Sequence, residues 1–292
     1  MLHIPTAYSD RMGRVTQRTP AVRIEVGDPA APRVTRRPDT IAVEEPMEIR
    51  VAGQALTVTM RTPGDDFDLT LGFLHAEGLI HRATDVRQLM HCLDEDESGS
   101  PTYNVVDVLL ADGVAPPTAR DARAFLTTSA CGVCGKTSID ALRASGRYAV
   151  HADDTVVDPA LLVTLPDRLR EHQKVFDRTG GIHAAGLFTA AGQLLVARED
   201  VGRHNAVDKV VGWAVREDRL PLTGHVLVVT SRASFELTQK AYLAGIPVLA
   251  AVSAPSSLAI ELAHDVGMTL VGFLRAPRLT VYSGSRRAGI PT

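Results

Sequence analysis

One stretch constrains the fold of this 292-residue chain more than any other: Val226-Leu227-Val228-Val229, an apolar run with no polar residue at alternate positions. A strand of this kind must be covered on both faces, as in a parallel sheet sandwiched by helices. The surrounding pattern agrees. His225 to Thr230 reads as a strand and Ser234 to Ala244 as a helix closed by Gly245. Pro247 to Val252 reads as a strand, Ser256 to Val266 as a helix closed by Gly267, and Thr269 to Leu274 as a further strand. This β-α-β-α-β run predicts an α/β fold with right-handed crossovers. Upstream, Ala184 to Phe188 and Leu194 to Ala197 form short strands about a turn at Ala190-Ala191-Gly192. Asn205 is placed to cap a helix whose apolar stripe is Val207, Val210, Val211 and Ala214.

The first half is richer in strands. Val22 to Val26 alternates, and Met47 to Val51 with Ala55 to Met60 reads as a hairpin turned at Ala52-Gly53. Asp65 and Asp66 open a helix, their charge suiting its positive end, and Gly78 closes it. Val86 to Leu93 and Tyr103 to Leu110 are paired strands around the acidic loop Asp94 to Pro101. Leu161 to Asp177 is expected to be mostly helical, with Pro166 in a first turn and Leu165, Leu169, His172 and Phe176 near one face. The expected organisation is a flexible or extended segment over 1–40 and a β-rich part with one helix over 41–130. An α/β ligand-binding domain over 131–285 and a tail over 286–292 complete it.

Composition removes several function classes. Aromatic residues make up 4% of the chain, too few for base-stacking platforms, and the formal net charge of −3 demands no nucleic-acid or membrane partner. Three cysteines do not make a disulfide framework and suit a reducing cytoplasm. No apolar run approaches the ~18 residues of a membrane span. The start carries Arg11, Arg14 and Arg18 without an apolar core, unlike a secretory signal.

The chemistry concentrates in a few places. Ser129-Ala130-Cys131-Gly132-Val133-Cys134-Gly135-Lys136 holds two cysteines one helical turn apart, framed by glycines and followed by a cation. A thiolate is favoured by a nearby positive charge and a helix N-terminus. Redox pairs, zinc half-sites and persulfide carriers all use this spacing. The third thiol, Cys92, sits in an apolar strand and reads as a core residue. Ligands of open α/β sheets bind beyond the carboxyl ends of the strands. Three loops stand there: Ser231-Arg232-Ala233-Ser234, Ser253 to Ser257, and Arg275-Ala276-Pro277-Arg278. Ser234 and Ser256 precede helices whose free N–H groups can cradle an anion, and Arg232, Arg275 and Arg278 add planar donors suited to phosphate. Gly180-Gly181-Ile182-His183 allows backbone to approach a ligand closely. Arg198 to Asn205, including Arg203, packs charge at a strand-to-helix turn, where it can position a ligand or orient the cysteine loop; Glu77, at a helix end, reads as solvent-facing.

Taken together, these pieces resemble the FdhD family of formate dehydrogenase accessory sulfurtransferases. The resemblance is carried by Arg61-Thr62-Pro63-Gly64-Asp65-Asp66, Gly72-Phe73-Leu74 with Glu77-Gly78-Leu79-Ile80, and the Cys131/Cys134 motif. It continues through Gly181 to Leu187, Arg198 to Lys209, Ser231 to Glu236, Ser253 to Leu258, Gly272 to Arg275 and Val281-Tyr282-Ser283. It implies a cytidine-deaminase-like three-layer α/β domain with a smaller β-rich N-terminal part. It also implies a cytoplasmic homodimer that takes sulfur from a cysteine desulfurase as a persulfide on Cys131, assisted by Cys134. The sulfur is delivered to the molybdenum cofactor, Mo-bis(molybdopterin guanine dinucleotide), for formate dehydrogenase. The family's cofactor-binding segment matches Phe273, Leu274, Arg275, Ala276, Pro277 and Arg278. Arg232, Ser234, Ser256, His183 and Arg203 are the further candidates, and no resident metal is expected.

Two other readings use the same residues. His75-Ala76-Glu77 with Cys131-x-x-Cys134 superficially matches a zinc-dependent nucleobase deaminase, but Ala130 stands where that motif has proline. A non-catalytic escort of the cofactor leaves the cysteines incidental.

Overall fold

The computed structural model describes residues 15–27, 32–92, 103–117 and 146–290. Strands β1 (Thr16–Glu25) and β2 (Arg33–Ala42) pair antiparallel as a separate two-stranded ribbon. The stretch read as flexible or extended is thus extended where it is described, and β2 runs on to residue 42. The hairpin of β3 (Glu45–Val51) and β4 (Gln54–Arg61) forms as expected, with Ala52 and Gly53 both at positive φ in its turn.

Helix α1 (Asp66–Ala76) follows, and Gly78 ends it at φ 72°. Then come β5 (Val86–Cys92) and β6 (Val105–Leu110), giving a four-stranded sheet of order β4-β3-β6-β5. Met47, Ile49, Leu56, Leu71, Leu74, Leu89 and Val106 are buried between this sheet and α1. Burying each such side chain is worth about 1.5–3 kcal/mol. Cys92 is half-buried at the end of β5, outside this core, which corrects its reading as a core thiol.

In the second lobe the stretch read as mostly helical is three short helices: α2 (Pro159–Leu162), α3 (Leu165–Arg170) and α4 (Lys174–Thr179). Asp158 caps α2, Pro166 sits in the first turn of α3, and Gln173 leaves helical geometry at φ −88°, ψ 66°. Each interruption ends one hydrogen-bond ladder and starts another, so His172 and Phe176 do not continue the buried face of Leu165 and Leu169.

Strands β7 (His183–Thr189) and β8 (Leu194–Asp200) are antiparallel, and α5 (Arg203–Arg216) follows. The alternating run is β9 (His225–Val229), α6 (Phe235–Leu243), β10 (Val248–Ala251), α7 (Ser257–Asp265) and β11 (Thr269–Arg275). A strand absent from the sequence reading, β12 (Arg278–Ser283), turns back antiparallel on β11. The six-stranded sheet has the order β12-β11-β10-β9-β7-β8, with β9, β10 and β11 mutually parallel. Helices α5, α6 and α7 cover one face and α2 and α3 the other, which makes three layers. Both faces of β9 are buried, as its unbroken apolar run requires.

Helices α1 and α5 join the two lobes by crossing almost backbone to backbone. A Cβ at Gly72 would stand 1.9 Å from the Asp208 carbonyl oxygen, and one at Gly212 would stand 1.7 Å from that of Asp68. Only glycine permits this approach.

The stretch read as a tail is anchored. Residues Ser285–Ala288 form a 3-10 turn, and the buried Arg287 guanidinium donates to the carbonyls of Val150, Asp153 and Gly267 at 2.7–2.8 Å.

Candidate functional site

β8 and β9 are both antiparallel to β7, so β8, β9 and β10 all end at one edge of the sheet. Helices α5, α6 and α7 therefore start at that edge. The loops there are stitched together: Ser256 N–H donates to the Ala233 carbonyl at 2.9 Å and Phe273 N–H to the Ser253 carbonyl at 3.1 Å.

On the α2–α3 face of the same edge lies a cavity of about 760 Å³. Thr230 and Val252 close it at the ends of β9 and β10, and Leu274, Arg275 and Ala276 at the end of β11. Gly180, Gly181 and His183 form another side, and Arg170, Gln173 and Phe176 form the far wall. The Arg170 guanidinium lies 4.5 Å over the Phe176 ring. Glu199 accepts the N–H groups of Val175 and Phe176, both at 2.9 Å, and so fixes the first turn of α4. Burial lowers the pKa of His183, and the Arg203 charge lowers it further, so the imidazole is neutral at pH 7. Two guanidiniums, a neutral imidazole and two glycines suit a phosphate-bearing ligand.

The candidate residues divide. His183, Leu274, Arg275 and Ala276 line the cavity. Arg275 and Arg278 face each other across the β11–β12 hairpin, whose turn is Ala276-Pro277 with a cis peptide bond. Phe273 is 51% exposed beside the cavity, at φ 49°. Arg232 is exposed. The hydroxyls of Ser234 and Ser256 accept the N–H groups of Leu237 and Ala259 as helix caps. Arg203 is the first residue of α5, and its Nε is buried with no hydrogen-bond partner. Its neighbour His204 has Nε2 at 3.2 Å from Glu236 and 3.4 Å from the Ser234 hydroxyl. Burial lowers the His204 pKa to about 4 against the pull of Glu236, so the imidazole is neutral at pH 7. Cys131, Cys134 and Lys136 lie outside the described residues, as does the acidic loop. Arg170, Gln173 and Phe176 escaped sequence reading because they looked like one amphipathic helix. The one signal nearby was Gly180-Gly181, which follows them directly.

Asn205 does not cap α5. That helix starts at Arg203 after Gly202, and the Asn205 amide instead donates to the Met60 carbonyl at 2.8 Å and to Asp200 at 3.1 Å. The charged stretch around it serves mostly to join the lobes. Arg198 pairs with Asp68 at 2.8 Å, and Lys209 pairs with Asp200 at 2.7 Å while donating to the Thr62 carbonyl. Arg61 holds Asp66 through two donors at 3.1 and 3.2 Å and reaches Glu45 and Asn104. Lys240 donates to both oxygens of Asp208 at 2.8 and 3.0 Å. Burial pushes Asp208 up to about 6 despite Lys240; burial also lowers the Lys240 pKa, but Asp208, Glu236 and Glu77 together outweigh it and leave that pKa raised. The pair is ionised at neutral pH.

His75 is 5% exposed, its Nδ1 has no hydrogen-bond partner, and burial lowers its pKa to about 4. Glu77 is exposed at the end of α1. Among the described residues no group of three or more histidines, cysteines or carboxylates is arranged to hold a metal ion. No helix among them is long and apolar enough to cross a membrane.

Comparison with known proteins places this arrangement in a family. A protein from Streptomyces avermitilis described as sulfur carrier protein FdhD is 55% identical over 282 residues, covering 96% of this chain and 98% of that one. A protein of the same description from Mycobacterium tuberculosis is 56% identical over 261 residues, covering 88% of this chain and 95% of the relative. The crystal structure described as a formate dehydrogenase accessory protein from Desulfotalea psychrophila superposes with a TM-score of 0.72 at 23% identity. It covers 94% of this chain and 99% of that one, and so shows the same fold. The model of the FdhD/NarQ family matches residues 42–289, from the end of the ribbon through the anchored Arg287 turn, and the chain belongs to that family.

Proposed function

We propose that this chain is a sulfur carrier for the maturation of formate dehydrogenase, working in the cytoplasm as a homodimer. The Cys131 thiolate attacks the terminal sulfur of a persulfide on a cysteine desulfurase. One S–S bond forms on Cys131, and the desulfurase thiolate leaves. Attack of the Cys134 thiolate on the Cys131 sulfur then forms an intramolecular disulfide and expels the terminal sulfur as sulfide. The two electrons come from the cysteine pair, which an external dithiol reductant restores. The acceptor is the bis-guanine-dinucleotide molybdenum cofactor, handled as cargo.

The observation that carries this reading is the cavity at the carboxyl edge, where Arg170, Arg275 and His183 offer donors to phosphate. The glycine pair there lets the backbone close on a ligand. The names borne by the relatives support the sulfur-carrying role.

Two measurements test the reading. Incubation with a desulfurase and cysteine, followed by peptide mass spectrometry, is expected to find one added sulfur on the peptide containing Cys131 and none there in Cys131→Ala. Wild type that never gains sulfur refutes the carrier role. Guanosine diphosphate is the probe for the cavity: Arg275→Ala is expected to weaken its binding about ten- to a hundredfold, the loss of one charge-assisted contact of ~1.5–3 kcal/mol. Unchanged binding moves the cofactor elsewhere.

A further inference from the structure

Gln173, on the far wall of the cavity, is only 3% exposed. It stands at the break between α3 and α4. Its N–H donates to the Arg170 carbonyl at 3.1 Å, and its carbonyl accepts the Asp177 N–H at 3.0 Å. The main chain is therefore satisfied on both sides. The side-chain amide, by contrast, has no hydrogen-bond partner among the described residues. An amide carries two donors and two acceptor lone pairs, and burying them unpaired weakens a fold. Native structures keep few such groups, and each calls for a reason.

The surroundings indicate what this amide meets. Beside it the Arg170 guanidinium lies 4.5 Å over the Phe176 ring and is tied to Asp177 at 2.5 Å, which fixes a flat shelf. Val163 and Pro166 add apolar wall. Arg275 and the glycine pair stand on the other sides of the cavity. A ligand with phosphate at one end and a flat heterocycle at the other fits that division. The volume of about 760 Å³ falls within the ~300–1,000 Å³ that houses one small ligand, room for one nucleotide. Proteins hold an unstacked base by laying its ring on an aromatic or guanidinium plane and bonding its Watson–Crick edge. In guanine that edge sets the O6 acceptor beside the N1–H donor. One amide satisfies both: its NH2 donates to O6 and its carbonyl accepts from N1–H.

We infer that Gln173 is a specificity-determining residue of this cavity, its amide pairing with the O6 and N1–H of a guanine laid against the Arg170–Phe176 shelf. The inference deepens the cofactor-binding reading above and rests on it.

Calorimetric titration of the full chain with guanosine diphosphate, N1-methylguanosine diphosphate and inorganic pyrophosphate tests it. Methylation at N1 removes the ring donor and leaves the phosphates unchanged. Wild type is expected to prefer guanosine diphosphate over the methylated form about tenfold, the effect of a lost pair of neutral hydrogen bonds. Gln173→Met is expected to bind guanosine diphosphate about tenfold more weakly, to show no preference between the two, and to bind pyrophosphate as wild type does. Methylation and substitution remove the same contact, so their effects do not add. Without ligand, the thermal midpoint of Gln173→Met should equal or exceed that of wild type, because an unpaired polar group has gone. A Gln173→Met protein that keeps the preference, or a wild type that binds guanosine diphosphate without one, overturns the inference and leaves the phosphate-binding cavity standing. A lower midpoint in the variant reveals a structural partner for the amide and also overturns it. A wild type that binds no guanosine diphosphate overturns both readings.

Discussion

Gly212→Ala makes the interlobe crossing measurable. The added Cβ would lie 1.7 Å from the Asp68 carbonyl oxygen, 2.6 Å from its carbon and 2.7 Å from the Gly72 nitrogen. Ordinary contact begins at 3.4 Å, so helices α1 and α5 must part locally by about 1.7 Å. No side chain can rotate away, because every one of these atoms is backbone. The substitution gains about 1 kcal/mol of helix propensity. Against this stands overpacking, typically ~1–3 kcal/mol and more when rigid backbone is displaced. Parting the helices also stretches the pair between Arg216 of α5 and the buried Asp68 of α1, 2.6 Å apart, which spans the crossing. Complete loss of one partner of such a pair costs about 3–5 kcal/mol, and partial loss a fraction of that. The net expectation is a destabilisation of about 3 kcal/mol, or roughly 6–12 °C in the thermal midpoint for a chain of this size. Thermal unfolding followed by circular dichroism reads it. Gly181→Ala is the control: its Cβ meets nothing nearer than 3.9 Å and should change stability by less than about 0.5 kcal/mol. A Gly212→Ala midpoint equal to or above wild type refutes the assignment of the crossing to glycine.

Lys240→Met strands the buried Asp208 carboxylate and should cost about 3–5 kcal/mol in urea unfolding, with most of the loss recovered by adding Asp208→Leu; a neutral single variant would show that the pair is not buried as described. The buried histidines should cost stability as pH is lowered from about 6.5 toward 4. Burial holds His75, His91 and His204 at about 4, so in that window the unfolded chain binds protons that the folded chain refuses. Asp208, raised to about 6, acts with the opposite sign by taking its proton in the folded state first, and burial raises Asp66, Asp68, Glu77 and Glu199 in the same direction, so the histidine contribution is read as a difference between wild type and a histidine variant. Between pH 7 and 5 the thermal midpoint of wild type should fall more, or rise less, than that of His75→Gln, and equal slopes contradict this reasoning.

The parallel core was legible because burial on both faces leaves a direct mark: β9, β10 and β11 are apolar without alternation. Ser234 and Ser256, named among the ligand candidates, also stand where a hydroxyl commonly caps the apolar stripe that follows, and both do cap their helices. Asn205 does not, because its partners Met60 and Asp200 are supplied by tertiary packing from remote and neighbouring strands. The charge cluster from Arg198 to Lys209 looked like a ligand site for the same reason. Its partners Asp68 and Thr62 lie more than a hundred positions away, and no local pattern announces them. Half of the candidate cavity was visible as loops at strand ends. Its far wall was not, because the breaks that aim Arg170 and Phe176 inward come from Pro166 and the non-helical Gln173 within an apparently continuous helix.

Three consecutive residues of β8 have opposite duties. Arg198 and Asp200 reach toward the smaller lobe, binding Asp68, Lys209 and the Thr62 amide. Glu199, pointing the other way, grips the backbone of α4. Strand alternation alone thus couples two compartments through adjacent peptide units. A tilt or slide of this edge strand shifts the lobe joint and the pocket wall together, so the enclosure beside Arg170 and Phe176 cannot be tuned independently of how the halves of the molecule are seated.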